Sequence, residues 1–254
     1  MLAETLRKET RKSMTSQQIC SPRFAIALIA TVLCFAAVAK AGPPLICHTI
    51  EIGNAKSLPW TSHNWNLSGG ENYDTKNLVR DTLDILAPNT PVLVRMETLR
   101  RATLYARKDP VAAKELLAKL HARATSAASS GNPDALAWFD LGYLAETYQQ
   151  WIGQSWMRVS NNEQNPAAGV DGYALVKEAL VLRGASQNGN DSQMEFAAAL
   201  ITLSGPRDAH REHAQKAIAG AKSDALLAKN LASRFTGSQT ETISEMLAKN
   251  TASN

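Results

Sequence analysis

The sequence predicts an all-α fold, made of antiparallel helical hairpins that are stacked as an α-solenoid or packed as an irregular bundle. Aromatic residues make up only 6% of the chain, and this composition argues against an all-β fold. From Asp74 onward, apolar residues recur at helical spacing, and Gly, Pro, Asn and Asp residues separate the apolar stretches. Many small residues lie on these faces, so neighbouring helices can approach closely.

Residues 1–41 have the pattern of a secretory signal peptide. A polar, mostly basic stretch precedes an apolar run at residues 24–39, and Ala39-Lys40-Ala41 then supplies the small residues of a cleavage site. The apolar run is shorter than the roughly 20 residues of a spanning helix. We therefore expect a periplasmic or secreted protein, with an uncleaved leader as the alternative and the only expected link to a membrane.

Removing the leader also removes the basic surplus of the chain. The whole sequence has 27 Lys and Arg against 23 Asp and Glu, and the leader contains more of the bases than of the acids. The remaining bases and acids balance, so no nucleic-acid partner is expected.

We predict that the mature protein begins at Gly42, because the small residues Ala39 and Ala41 precede this position. Amino-terminal sequencing of the exported protein checks this prediction. Finding Met1 on the exported protein would contradict it.

Residues 42–72 are predicted to form an irregular amino-terminal segment. This stretch contains several Gly and Pro residues, and only residues 47–52 resemble a strand. Trp60 and Trp65 are expected to anchor it to the body of the protein. Residues 73–254 are predicted to form a helical repeat-like domain.

Local signals divide that domain into about nine short helices. Asp74 can cap a helix that runs to about residue 86, and Pro91 opens a second one that runs to about residue 107. Asp109-Pro110 opens a third helix, which ends at Gly131. Further helices are expected at residues 173–183, 192–203, 207–221, 224–234 and 240–249.

The fourth helix, opened by Pro133-Asp134, is predicted to carry a single apolar stripe. The stripe follows spacings of three and four residues. Its members are Trp138, Leu141, Ala145, Tyr148 and Ile152.

The motif Trp138-x-x-Leu141-Gly142 resembles the first-helix signature of tetratricopeptide (TPR) repeats, and Pro166 lies where such a repeat has its closing proline. The match covers fewer than 35 residues. It departs from the family at Ala145, where an aromatic residue is usual. It departs again at Gln154, Arg158 and Asn161. The resemblance implies a TPR-like scaffold that binds proteins or peptides on a concave face, and it implies no catalytic residues.

The amino-terminal segment also resembles that of uncharacterised secreted helical-repeat proteins of environmental bacteria. The residues that carry this resemblance include Cys47-His48 and the stretch from Ala55 to Trp60. The resemblance implies an exported protein and no particular activity.

Cys47, His48 and His63 are the candidate metal ligands. Thiolate and imidazole together suit copper or zinc, and a thiol beside an imidazole also suits nucleophilic chemistry. Adjacent residues on an extended segment point to opposite faces, which disfavours direct proton transfer from Cys47 to His48. The favoured interpretation is a small buried residue next to a hydrogen-bonded histidine, with no cofactor.

His210 and His213 are a second candidate metal pair, because residues three apart share a face of a helix. Asp208 and Glu212 lie nearby in the sequence. The favoured interpretation is a solvated polar face. The charge patterns formed by Glu97, Arg100 and Arg101, and by Lys114, Glu115 and Lys119, are likewise predicted to be solvated faces.

Trp151 and Trp156 are candidates for lining a binding groove, since they precede a polar loop at residues 161–172. Tryptophan at such a place would suit a peptide or glycan. Burial in the core is the favoured alternative.

These observations lead to two functional hypotheses. The first is an exported, non-enzymatic helical scaffold for protein or peptide binding, since the chain contains no Walker A, G-x-G-x-x-G, H-E-x-x-H or G-x-S-x-G stretch. The second is a metal- or thiol-dependent activity at Cys47, His48 and His63. Stoichiometric copper or zinc that is lost in Cys47→Ala would favour the second hypothesis.

Overall fold

Helices account for all the regular secondary structure in the described part of the chain. The computed structural model describes residues 45–61, 69–70, 72–153, 164–187 and 191–234. The α-helices within these ranges are α1 (Leu78–Ile85), α2 (Val92–Ala106), α3 (Pro110–Ser129), α4 (Ala135–Gly153), α5 (Gly172–Gln187), α6 (Ser192–Ile201), α7 (Arg207–Ala221) and α8 (Ala225–Arg234). The prediction of an all-α protein is confirmed for these residues.

Local capping signals set several of the helix boundaries. The Asp109 carboxylate accepts a hydrogen bond from the Ala112 N–H at 3.0 Å, and Pro110 occupies the first turn of α3. Gly131, with φ 76°, ends the same helix in the left-handed region that glycine tolerates best. The strand-like stretch at residues 47–52 forms no strand. The helix expected at residues 240–249 and the leader lie outside the described residues.

Hydrogen bonds made by side chains show in which direction neighbouring helices run. The Gln149 amide donates to the Val170 carbonyl at 2.7 Å near the carboxyl end of α4, which makes α4 and α5 antiparallel neighbours. Along α2 and α4, Arg95 contacts Asp140 and Thr103 contacts Thr147, so these two helices run in the same direction.

Helices α2 and α4 are buried around nearly their whole circumference. The predicted single stripe on α4 is therefore too narrow. Leu141, Ala145 and Tyr148 are buried as expected, but so is the opposite side of the helix, which includes Asp140 and Tyr143. Trp138, the first member of the stripe, is only half-buried. The reason is that other helices and residues 45–60 cover α4 from several sides.

Arg95 and Asp140 form an ion pair between α2 and α4 that is sealed from water. Both side chains are 0% exposed, and their closest N–O distance is 2.5 Å. Arg95 Nε also donates to the Thr90 carbonyl at 2.9 Å. Burial raises the pKa of Asp140 to about 7, and the nearby Arg95 guanidinium opposes this shift only in part.

We expect the stability difference between the unmodified chain and Asp140→Asn to depend on pH. An acid whose pKa is higher in the folded state than in the unfolded state favours folding at low pH. That contribution is lost as the pH rises through 7. The unmodified chain should therefore lose on the order of 2 kcal/mol relative to Asp140→Asn between pH 5 and pH 8. Urea denaturation at each pH measures the difference, and a rise toward pH 8 would contradict the direction of this shift.

Gly142 lies where α4 and α5 cross. A Cβ atom placed on Gly142 would lie 2.6 Å from the Gly172 carbonyl oxygen and 3.0 Å from Leu175 Cβ. A Cβ atom on Gly172 would meet the Gly142 carbonyl oxygen at 2.5 Å. The two glycines therefore permit a backbone approach that no other residue pair would allow.

Gly142→Ala is expected to destabilise the protein by about 1–3 kcal/mol, because the collision is with backbone atoms that cannot move independently. The matched control is Gly184→Ala on α5, where a Cβ atom has nothing within 4 Å. The control should be stabilised by up to about 1 kcal/mol through helix propensity. Equal effects of the two substitutions in chemical denaturation would contradict the close crossing.

Candidate functional site

The middle of α2 carries a buried cluster of charged residues. Glu97 accepts hydrogen bonds from Arg100 Nε at 2.8 Å and from Arg101 Nε at 2.7 Å. The side chains of Glu97 and Arg100 are 0% and 1% exposed, and that of Arg101 is 17% exposed. The prediction of a solvated face is therefore wrong. The residues that cover this cluster lie 43 to 54 positions earlier in the chain.

Those residues form an amino-terminal segment, residues 45–60, which lies along α2. The charged cluster binds its main chain: Arg100 Nη1 donates to the Ile46 carbonyl at 3.0 Å, and the Ile50 N–H donates to Glu97 Oε2 at 2.8 Å. Arg101 Nη1 donates to the Leu58 carbonyl at 2.6 Å. The three charged side chains therefore hold a non-helical segment through its backbone.

Aromatic contacts hold the end of the same segment. The Trp60 ring lies 5.0 Å from the Arg100 guanidinium carbon, a cation–π distance, and packs edge-on against Tyr105 at 5.7 Å. The Tyr105 hydroxyl donates to the Pro59 carbonyl and accepts from the Gly70 N–H at 2.8 Å. Burial raises the pKa of Tyr105, so this hydroxyl keeps its proton at neutral pH. Trp60 anchors the segment as predicted, and Trp65 lies outside the described residues.

The segment also contacts the last described helix and the end of α4. The Asn230 side chain on α8 accepts from the Glu51 N–H at 2.8 Å and donates to the Glu51 carbonyl at 2.9 Å. Gln150 on α4 accepts from the Leu45 N–H at 2.8 Å. Five side chains of the segment are buried in the core: Leu45, Ile46, Cys47, Ile50 and Leu58.

An open cleft of about 520 Å³ adjoins the docked segment. It lies between residues 55–59 of the segment, α1 and the loop that joins α1 to α2. Asp81 and Asp84 line one wall, and Val94 of α2 lines another.

Val94, Thr98, Arg101 and Tyr105 recur at helical spacing along α2, so they share one face. Thr98 contacts the Ser57 hydroxyl at 2.9 Å, and Arg101 and Tyr105 contact the residues that follow Ser57. The α2 face that holds the segment therefore continues into the open cleft.

A second cavity, of about 410 Å³, lies on the other side of the loop Asn89–Pro91. Its polar side chains are engaged with one another. Arg183 pairs with Asp191 at 3.1 Å, and Gln193 Nε2 donates to Asp224 at 2.6 Å. These contacts connect the ends of neighbouring helices. The polar groups that line this cavity therefore have a structural role.

Cys47 and His48 lie in the docked segment, where Cys47 is buried and His48 is half-buried. His63 lies outside the described residues. No three His, Cys, Asp or Glu side chains within the described ranges are grouped so as to hold a metal ion. The copper or zinc site at Cys47, His48 and His63 therefore stays a prediction.

His210 and His213 are buried, so the prediction that they form a solvated face is wrong for both. His213 Nδ1 lies 2.5 Å from Glu195 Oε2, and its Nε2 lies 2.8 Å from the Tyr173 hydroxyl. His210 Nδ1 donates to the Ala199 carbonyl at 2.9 Å. The two histidines join α7 to its neighbours. Asp208 and Glu212, on the same helix, are exposed as expected.

Trp151 belongs to the core and does not line a groove. Its side chain is 1% exposed and packs edge-on against Tyr148 at 5.8 Å. Trp156 lies outside the described residues. Lys114, Glu115 and Lys119 on α3 are exposed, as predicted.

Scans of the chain against protein-family models, curated proteins and solved structures found no match. Among the described helices, none combines the length and apolar character that crossing a membrane requires.

Proposed function

We propose that this chain is an exported, non-enzymatic helical scaffold that binds a protein or peptide partner outside the cytoplasm. One observation carries the proposal: side chains of α2 bind the main chain of a non-helical segment and bury its apolar residues. Contacts of this kind are how proteins recognise peptides. The leader sequence supports export.

The cleft beside the docked segment is the proposed partner site. It is open, it lies on the α2 face that already holds residues 57–59, and its volume suits several side chains of a bound peptide. Asp84 on its wall is exposed, so its charge is accessible to a partner.

The helix directions support a scaffold of the TPR-like kind. Helices α4 and α5 form an antiparallel hairpin, as do α6 and α7, and α2 runs in the same direction as α4. Gly142 of the TPR-like motif lies at the crossing of α4 with α5. A stack of hairpins in this arrangement would present successive first helices on one face.

Panning a random dodecapeptide library against the purified chain from Gly42 tests the proposal. We expect enriched peptides that bind saturably, and we expect Asp84→Arg to weaken their binding at least tenfold. Asp208→Arg is the matched control, because Asp208 is an exposed aspartate on α7, remote in sequence from the cleft residues. A library that yields no saturable binder would contradict the function, and binding that Asp84→Arg leaves unchanged would contradict the cleft as its site.

A further inference from the structure

The helical body contacts residues 45–60 in the way that a protein contacts a bound peptide. The body makes polar contacts mainly with backbone atoms of the segment, at Leu45, Ile46, Ile50, Glu51, Leu58 and Pro59. Because every residue has a carbonyl and every residue except proline has an N–H, such contacts hold a chain segment without specifying its side chains.

Sequence preference would come from the buried apolar positions. Leu45, Ile46, Ile50 and Leu58 are each no more than 2% exposed, whereas the stretch 54–56 between Ile50 and Leu58 is exposed. The body therefore fits a segment with apolar residues at the spacing of positions 45, 46, 50 and 58, and it tolerates polar residues at 54–56.

The charged side chains of α2 that bind the segment also form ion pairs with one another. Glu97 binds Arg100 three residues later and Arg101 four residues later. If the segment leaves, these ion pairs return to water still paired, so no lone charge is left buried. We call the α2 surface that the segment covers the α2 groove; it is formed by Glu97, Thr98, Arg100, Arg101 and Tyr105. The charged cluster is therefore compatible with an empty α2 groove as well as with a filled one.

From this geometry we infer that the α2 groove is a peptide-binding surface whose ligand in the free protein is the chain's own residues 45–60. The same sequence presented by a second copy of the chain competes for the groove, and release of the segment in cis exposes it. This inference rests on the proposed function and adds a second peptide-binding surface, next to the open cleft on the same α2 face, that the chain's own segment regulates.

A fluorescein-labelled peptide with the sequence of residues 45–61, carrying Cys47→Ser, tests the inference by fluorescence anisotropy. The receptors are the chain from Gly42 and its Ile50→Asp variant, in which the charged side chain weakens docking in cis. We expect Ile50→Asp to bind the peptide at least tenfold more tightly than the unmodified chain does. Adding Arg100→Ala to the variant should abolish binding, and adding Arg211→Ala, on the exposed face of α7, should not.

Circular dichroism shows whether the Ile50 variants still fold, so a loss of peptide binding can be told apart from a loss of structure. Ile50→Ala, a milder change, is measured alongside, and loss of helical structure in both variants would overturn the inference, because the segment would then be part of the folding core. Folded variants that do not bind the peptide would overturn it too, as would equal binding by variant and unmodified chain. Each of these results leaves the proposed function standing if the library still yields ligands that Asp84→Arg weakens.

Discussion

Replacing Glu97 by alanine is expected to lower the free energy of unfolding by about 3–5 kcal/mol, the usual cost of removing one partner from a buried ion pair. The change leaves the Arg100 guanidinium, 1% exposed, without its carboxylate. It also removes the acceptor of the Ile50 N–H. Both groups would stay out of water, so neither regains a partner without partial release of the segment. Urea denaturation followed by circular dichroism measures the loss.

Glu115→Ala is the matched control for this substitution. Glu115 is an exposed glutamate on α3, so its removal should change stability by less than about 0.5 kcal/mol. A Glu97→Ala variant as stable as the Glu115→Ala control would mean that the cluster is hydrated in solution and does not hold the segment.

The helix boundaries could be predicted from the sequence because their signals are local. Asp109 lies next to the turn that it caps, and Gly131 has the backbone conformation that ends α3. The spacing that makes Leu141, Ala145 and Tyr148 share a face is fixed by helix geometry alone. These features need no knowledge of which residues lie across the core.

The burial of Glu97, Arg100 and Arg101 could not be predicted from their spacing. Charges three and four residues apart pair in the same way on a solvated helix and on a covered one. The covering residues, such as Ile46 and Ile50, are distant in the sequence. One signal was available: apolar residues occur on all sides of α2, which leaves no separate polar face for these charges.

The burial of His213 could not be predicted from local sequence either. Its partners, Glu195 and Tyr173, lie 18 and 40 residues away in the sequence. Neighbouring Asp208, Arg211 and Glu212 are exposed, so the local composition predicts a polar face for the whole stretch. The cleft depends even more on tertiary structure, because its walls come from three separate stretches of the chain.

Trp151→Ala is expected to cost about 3–5 kcal/mol, the range for large buried aromatic residues. The side chain is 1% exposed and packs against Tyr148, so truncation leaves a cavity that the surrounding helices cannot fill completely. Trp138→Ala should cost clearly less, because Trp138 is half-buried and water already covers part of its ring. This order reverses the one that the apolar stripe on α4 suggests, in which Trp138 is a core position.

The variant Trp151→Phe shows how much of the lost stability comes from apolar packing and how much from the indole N–H. The Trp151 indole N–H has no hydrogen-bond acceptor among the described residues, so its removal forfeits no bond there. Phenylalanine keeps most of the apolar surface, and we therefore expect a loss of less than about 1.5 kcal/mol, as for other swaps that nearly conserve volume. Chemical denaturation of the three variants measures the order of their stabilities. If Trp151→Phe costs as much as Trp151→Ala, the indole N–H makes an essential contact, and if Trp138→Ala costs the most, Trp138 is the principal aromatic anchor of α4.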